Sequence, residues 1–323
     1  RRQGRMGIRA SYRSELKVGF SALAIVGPPA SGKSGLALSV VEALESSGQA
    51  AEIINADAMQ LYRSMDIGTA KLPKDERRGI AHHLIDAIEP SAEMTAAEYS
   101  KLAIDTANEI RARNKLPVFV GGSMFYLAAA LDHFDFAPTD KGIRNQLESQ
   151  AEAVGTLEMH NQLAALDPES GRKIHSNNIR KVIRALEVIQ ITGQPFPSTL
   201  PEPEYLVPTL TIGINVEREV LKPRIANRVA EMWSHGLIDE AGQLLQGNAS
   251  LSKTALAAIG YQQAFQQISG DLTEAAAIQE TIQLTNRYAR RQMSWFMRDR
   301  RTHWLPDSPE LLQSALERIR LGA

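Results

Sequence analysis

Apolar positions along the chain follow two rhythms. Short continuous runs at 20–26 (FSALAIV), 51–55 (AEIIN), 116–122 (LPVFVGG) and 208–216 (PTLTIGINV) read as strands buried on both faces. Between and after them the spacing turns helical. Residues 34–44 (SGLALSVVEAL) follow the first run closely, and 94–113 place Tyr99, Leu102, Ala103, Thr106, Ala107 and Ile110 on one face. Alternating strands and helices predict a parallel sheet covered on both sides, an α/β fold. From 138 to 208 the pattern is helical only (TDKGIRNQLESQAEAVG, then NNIRKVIRALEVIQITG) with a Pro-rich exit, which predicts a small helical insertion. Beyond 215, helices are expected at 217–235, 237–246, 260–269 and 273–301, followed by a late edge strand at 303–306 and a short terminal helix.

Three segments follow from this pattern: a catalytic α/β core at 18–137 and 205–323, a helical insertion at 138–204, and a basic leader at 1–17. The leader has no apolar stretch of the kind a secretory signal needs, and Met6 is a plausible start inside it. No apolar run approaches the length of a membrane helix.

Composition narrows the chemistry. The chain has 323 residues and a net charge of −1, so a polyanionic partner would have to be met by local patches. There is no cysteine, which removes disulfides, thiolate metal sites and Cys nucleophiles and fits a reducing compartment. Two stretches are locally basic. One carries Arg172, Lys173, Arg180, Lys181 and Arg184 with no acid among residues 172–184. The other carries Arg287, Arg290, Arg291, Arg298, Arg300 and Arg301 against Asp299, interleaved with Tyr288, Trp295 and Phe296. A solvated helical face is the plain reading of either stretch, and an RNA-binding face is the functional one.

The first strand leads into Gly27-Pro28-Pro29-Ala30-Ser31-Gly32-Lys33-Ser34, which fits G-x-x-x-x-G-K-[ST]. Loop N–H groups and a helix N-terminus converge there on phosphate oxygens, Lys33 adds a positive charge, and Ser34 offers a hydroxyl to Mg2+. By chance the pattern arises in roughly one chain in a hundred of this length, and the strand before and helix after make accident rarer. Asp57 follows the second strand, where ligands of α/β sheets bind. Its carboxylate can hold Mg2+ through water, take a proton, or simply close a turn. Lys71 reads as an exposed loop lysine. The third strand ends in Gly-Gly-Ser123 rather than a metal-binding Asp, which disfavours ATP hydrolysis and small-molecule kinase chemistry.

Seven segments, GPPASGKS, NADAMQLYRSMDIGTAK, HHLIDAIEP, VFVGGSMFY, ALDPESGRKIHSNNIRKVIRALEV, AIGYQQ and RYARRQMSWF, run in order through nearly the whole chain. Together they resemble the tRNA dimethylallyltransferases (tRNA isopentenyltransferases) of bacterial type. The resemblance implies a P-loop core that binds dimethylallyl diphosphate with Mg2+. It also implies transfer of the dimethylallyl group to N6 of adenosine 37 in tRNAs reading codons that begin with U. It implies catalytic roles for Asp57, Lys33, Ser123 and an arginine of the RxxxRV helix, Arg224 or Arg228, with Arg228 preferred. RNA contacts are implied at Asp57, Ala58, Met59, Gln60, Arg180, Lys181, Arg184, Arg287, Arg290, Arg291 and Gln292. A cytoplasmic or organellar monomer without membrane attachment is expected. The absence of cysteine removes the zinc finger of eukaryotic members, which implies a bacterial-type or organellar enzyme. Departures from the family pattern are Pro29 and Ala58, where Thr and Ser are usual, Ser123 for Thr, and the altered HSNNIRK segment. They leave an altered acceptor, or a non-catalytic RNA-binding protein, as alternatives.

Overall fold

The computed structural model describes residues 19–197, 202–247 and 250–322; the leader at 1–17 lies outside them. Six strands form one parallel sheet: β1 Ala22–Val26, β2 Ala51–Asn55, β3 His82–His83, β4 Leu116–Gly121, β5 Thr209–Asn215 and β6 Thr302–Pro306, in the order β3-β2-β4-β1-β5-β6. β1 pairs Ile25 with Val120 on one side and with Ile212 on the other. The late strand is an edge strand, as its position and partial exposure require. β3 was not expected: two histidines carry no apolar run, and they pair because Ile53 and Ile54 lie alongside.

Successive side chains of each strand enter opposite layers. Leu23, Ile25, Ile53, Val118, Val120 and Ile212 share one core, and Ala22, Ala24, Val26, Ile54 and Phe119 share the other. Covering the first are α1 Lys33–Ser46, α7 Arg218–Ser234, α8 Leu237–Gln246, α9 Lys253–Leu256, α10 Tyr261–Ser269, most of α11 Glu274–Phe296, and α12 Leu311–Leu321. Covering the second are α2 Ala96–Ala112, opened by a Thr95–Glu98 capping box, and α3 Met124–Leu131. The expected helix at 273–301 stops at Phe296, because the chain must turn at 297–301 to enter β6.

The described residues divide into two compact units, one within 19–132 and 205–322, the other within His133–Glu204. Within the second, α4 Lys141–Leu166 is broken at Gly155, whose φ of 83° no other residue type takes cheaply. Short α5 Pro168–Lys173 and α6 Ile179–Thr192 follow. Leu147, Met159, Leu163, Val182, Ile183 and Leu186 form its own small core.

Candidate active site at the carboxyl ends of β1, β2 and β4

The phosphate loop leaves β1 and enters α1 through two left-handed residues, Ala30 (φ 58°) and Gly32 (φ 83°). Such a backbone turns N–H groups inward into an anion-binding concavity. Gly27 has no room for a side chain, since a Cβ there would meet Ser31 Oγ at 2.8 Å. Ser31 is buried, and its hydroxyl has no hydrogen-bond partner among the described residues. Ser34 is exposed on the first turn of α1. Lys33 donates from Nζ to Pro28 O at 3.1 Å.

The β2 end is built by local bonds. Asp57 N donates to Asn55 Oδ1 (3.0 Å), and Asn55 Nδ2 donates to the carbonyls of Asp57 (3.0 Å) and Leu84 (2.9 Å). Asp57 Oδ1 accepts from Met59 N at 3.0 Å, so the turn-closing role open to this residue is present beside any chemical one. Ser123 joins the β4 end to the β2 end: its Oγ accepts from Ala58 N (2.8 Å), and its own N–H donates to Ala56 O (3.1 Å). The glycines before it allow this approach. A Cβ on Gly121 would sit 2.1 Å from Ala56 O, and one on Gly122 would sit 2.2 Å from Gln292 Nε2 and 3.3 Å from Gly27 O.

Charge converges at the same place. Burial pushes the Lys33 ammonium down to about 8, opposed by the Asp57 carboxylate and helped by the Arg228 guanidinium. Burial likewise lowers Arg228, against Asp57 and Glu231. Lys33 and Arg228 therefore both feel the Asp57 carboxylate, near a loop of inward N–H groups, an arrangement whose local charge suits an anion. Arg224, the other arginine of that helix, is spent in an ion pair with Asp307 at 2.7 Å. The Tyr288 phenol lies beside Ser123 and Gln292; burial and the charge of Asp57 push it up to about 12.

Several expected residues stand elsewhere than a binding face would have them. Gln292 is buried and donates to Gly122 O (2.6 Å), its Oε1 having no partner among the described residues, so it belongs to the floor of the site rather than to a surface. Arg184 is turned inward: it donates to the carbonyls of Ala137 (2.6 Å) and Pro138 (2.9 Å) and to Glu187 (2.8 Å). Lys71 is buried, not exposed, and it donates to Asp66 (2.7 Å), Asp86 (2.6 Å) and the Tyr62 carbonyl. Ala58, Met59 and Gln60 are half-buried, whereas Arg180, Lys181, Arg287, Arg290 and Arg291 are exposed. Sequence reasoning missed Tyr288 as a site residue. Its only signal was an aromatic among arginines four residues before Gln292.

Comparison with known proteins identifies the family. The family model described as IPP transferase matches residues 60–300. The chain belongs to the IPP transferase family. A tRNA dimethylallyltransferase of Thermobifida fusca is 47% identical over 294 residues, covering 91% of this chain and 92% of that one. Another, from Streptomyces avermitilis, is 45% identical over 298 residues, covering 91% and 94%. The tRNA isopentenylpyrophosphate transferase of Bacillus halodurans superposes with a TM-score of 0.66 at 34% identity, covering 93% of this chain and 94% of that one. A eukaryotic dimethylallyltransferase captured acting on tRNA superposes at 0.74 and 25% identity, covering 89% and 74%. This IPP transferase thus shares a P-loop α/β fold with its relatives along nearly all of its length. Among its described residues, no helix is long and apolar enough to cross a membrane.

Proposed function

We propose that the protein transfers a dimethylallyl group from dimethylallyl diphosphate to N6 of adenosine 37 in tRNAs reading codons that begin with U, releasing diphosphate. The observation that carries this reading is the phosphate loop with Lys33 at its end, whose Gly27 carbonyl lies against Gly122 at the β4 end that Ser123 ties to Ala58, next to Asp57.

Adenine N6 is a weak nucleophile, because its lone pair is delocalised into the ring. The allylic carbon compensates by gaining cation character as its C–O bond breaks. The N6 lone pair then forms the new C–N bond, the C–O electron pair departs on the diphosphate, and the N6 proton must be accepted. Lys33, Arg228 and the loop N–H groups stabilise the negative charge where it develops. Asp57 accepts the proton. Its Oδ1 is occupied by Met59 N–H, which aims the carboxylate and leaves the second oxygen for the base. Ser123 holds the Asp57 turn against the β4 end through Ala58 N–H.

The donor set suits Mg2+ held largely by substrate. Ser34 offers an exposed hydroxyl on the first turn of α1, and no cluster of three carboxylate or imidazole side chains occurs among the described residues. When bound, Mg2+ would neutralise charge on the diphosphate. Adenosine 37 must leave its stack to reach this depth. The half-buried Ala58, Met59 and Gln60 would meet the extruded base, and the exposed Arg180, Lys181, Arg287, Arg290 and Arg291 would contact the anticodon arm.

The test uses purified protein, Mg2+ and labelled dimethylallyl diphosphate, with anticodon stem-loop RNA or free AMP as acceptor. Label is expected in the RNA. Asp57→Ala should lose at least a hundredfold in kcat while RNA binding survives; unchanged turnover in that variant would remove Asp57 from the chemistry. Preferential labelling of AMP would reassign the acceptor.

A further inference from the structure

The segment that carries Asp57 and Gln60 is not held by its own residues alone. Residues 66–71 form a tight turn, with Lys71 N donating to Asp66 O at 3.0 Å and Ala70 in left-handed backbone (φ 49°). Its N–H groups at Asp66 and Ile67 point at one carboxylate, Glu240 of α8. Asp66 N donates to Oε2 (3.0 Å), and Ile67 N lies 3.1 Å from both oxygens. The Tyr261 hydroxyl of α10 donates to Glu240 Oε1 and accepts from Gly68 N at 3.2 Å. Tyr261 is fully buried, and its ring packs so closely on Gly68 that a Cβ there would sit 2.4 Å away. On the other side of the turn, the carbonyls of Thr69 and Ala70 accept from Gln60 Nε2, at 3.1 and 3.4 Å. Gln60 N in turn donates to Asp57 O at 3.2 Å.

We propose that Glu240 and Tyr261 are positioning residues for the acceptor half of the site. By gripping the N–H groups of 66–68 they hold the turn whose carbonyls aim the Gln60 amide and, through it, the Asp57 segment. The Gln60 amide nitrogen is directed at that turn, so its Oε1 is left to be offered to an acceptor base. The phosphate loop shares none of these bonds. Loss of the grip should therefore disturb RNA use and leave prenyl diphosphate use in place. The inference rests on the reading of the protein as an RNA prenyltransferase.

Steady-state kinetics of the full chain with anticodon stem-loop RNA and dimethylallyl diphosphate test it. Glu240→Ala should lower kcat/KM for RNA at least thirtyfold, with the KM for dimethylallyl diphosphate within about twofold of wild type. Tyr261→Phe and Glu240→Gln, which keep the packing, should each cost about threefold to tenfold on the RNA side only. Ile110→Ala, which loosens the packing of the C-terminal end of α2 beside the start of β4, serves as a control for instability and should change neither KM selectively. Unaltered RNA kinetics in Tyr261→Phe and Glu240→Gln overturn the proposal, even if Glu240→Ala does not fold. An equal rise of both KM values also overturns it. Wild-type protein that prenylates no RNA removes the functional reading and this inference with it. Wild-type protein that prenylates RNA beside unaffected variants removes the inference alone.

Discussion

The two basic stretches look alike in sequence and differ in what their cations do. In the first, within His133–Glu204, Glu187 is completely buried. It gathers Arg144 (2.7 Å), Arg184 (2.8 Å) and the N–H of Asp140 (2.9 Å), while Arg180 and Lys181 stay exposed. In the second, Arg301 is turned inward. It meets Asp132 at 2.6 Å and Asp299 at 2.6 Å, and its guanidinium lies 3.7 Å from the centre of the Tyr205 ring. Arg287, Arg290, Arg298 and Arg300 of that stretch remain exposed. Formal charge in a sequence is therefore not surface charge. Each stretch commits at least one arginine to a buried carboxylate, and the acid that claims it lies outside the basic window or at its edge.

The sharpest way to break this comparison is Arg301→Ala. It strands Asp132, which is buried, and Asp299, and should cost roughly 3 kcal/mol in denaturant unfolding, since removing one partner leaves uncompensated buried charge. A loss below about 1 kcal/mol would return Arg301 to the surface class. Glu187→Ala should cost somewhat less, about 2 kcal/mol, because Arg144 and Arg184 are partly exposed and can rehydrate. The same grip has a pH signature. Burial alone would raise the Glu187 carboxyl, but hydrogen bonds from Arg144, Arg184 and the Asp140 N–H hold it below its ordinary 4.5. A depressed folded value contributes stability that is full above the ordinary value and is lost as pH falls below it. Glu187→Gln should flatten that acid limb of the unfolding curve.

Lys33 sharpens the contrast from the other side. It ends on a carbonyl rather than a carboxylate, and burial brings it down to about 8. On the proposed reading the protonated form binds diphosphate, so kcat/KM for dimethylallyl diphosphate should fall about tenfold from pH 7 to pH 9. A flat profile over that range would show that Lys33 keeps its proton. The smallest effect is expected from the exposed pair. Arg180→Ala with Lys181→Ala should weaken RNA binding about fivefold and reduce its salt dependence, with thermal stability unchanged. A stability loss there would mean that these cations, too, are structural.

Much of the fold is legible in the sequence. Four buried strands, the phosphate loop and most helices announce themselves by runs and periods of a few residues. What escaped was β3, whose histidines pair only because β2 offers an edge, and the inward turns of Lys71, Arg184 and Gln292. Those side chains are long and polar, and ordinary statistics put them in water. They go inside because carboxylates and carbonyls wait there. Arg228 could be singled out over Arg224 only by preference, because nothing in the sequence says that Asp307 takes Arg224.

By itself the sequence determined the anion-binding loop, the Asp57 turn and the alternation of strands and helices, because each closes over a handful of neighbouring residues. Only the tertiary structure decided the rest of the site. Gln292 reaches Gly122 across 170 residues, Ser123 reaches Ala58 across 65, and Glu240 reaches Asp66 across 174. Such bonds carry no local signature. Their partners are brought together by the burial of two apolar layers on one sheet, and a polar group stranded there must find a partner.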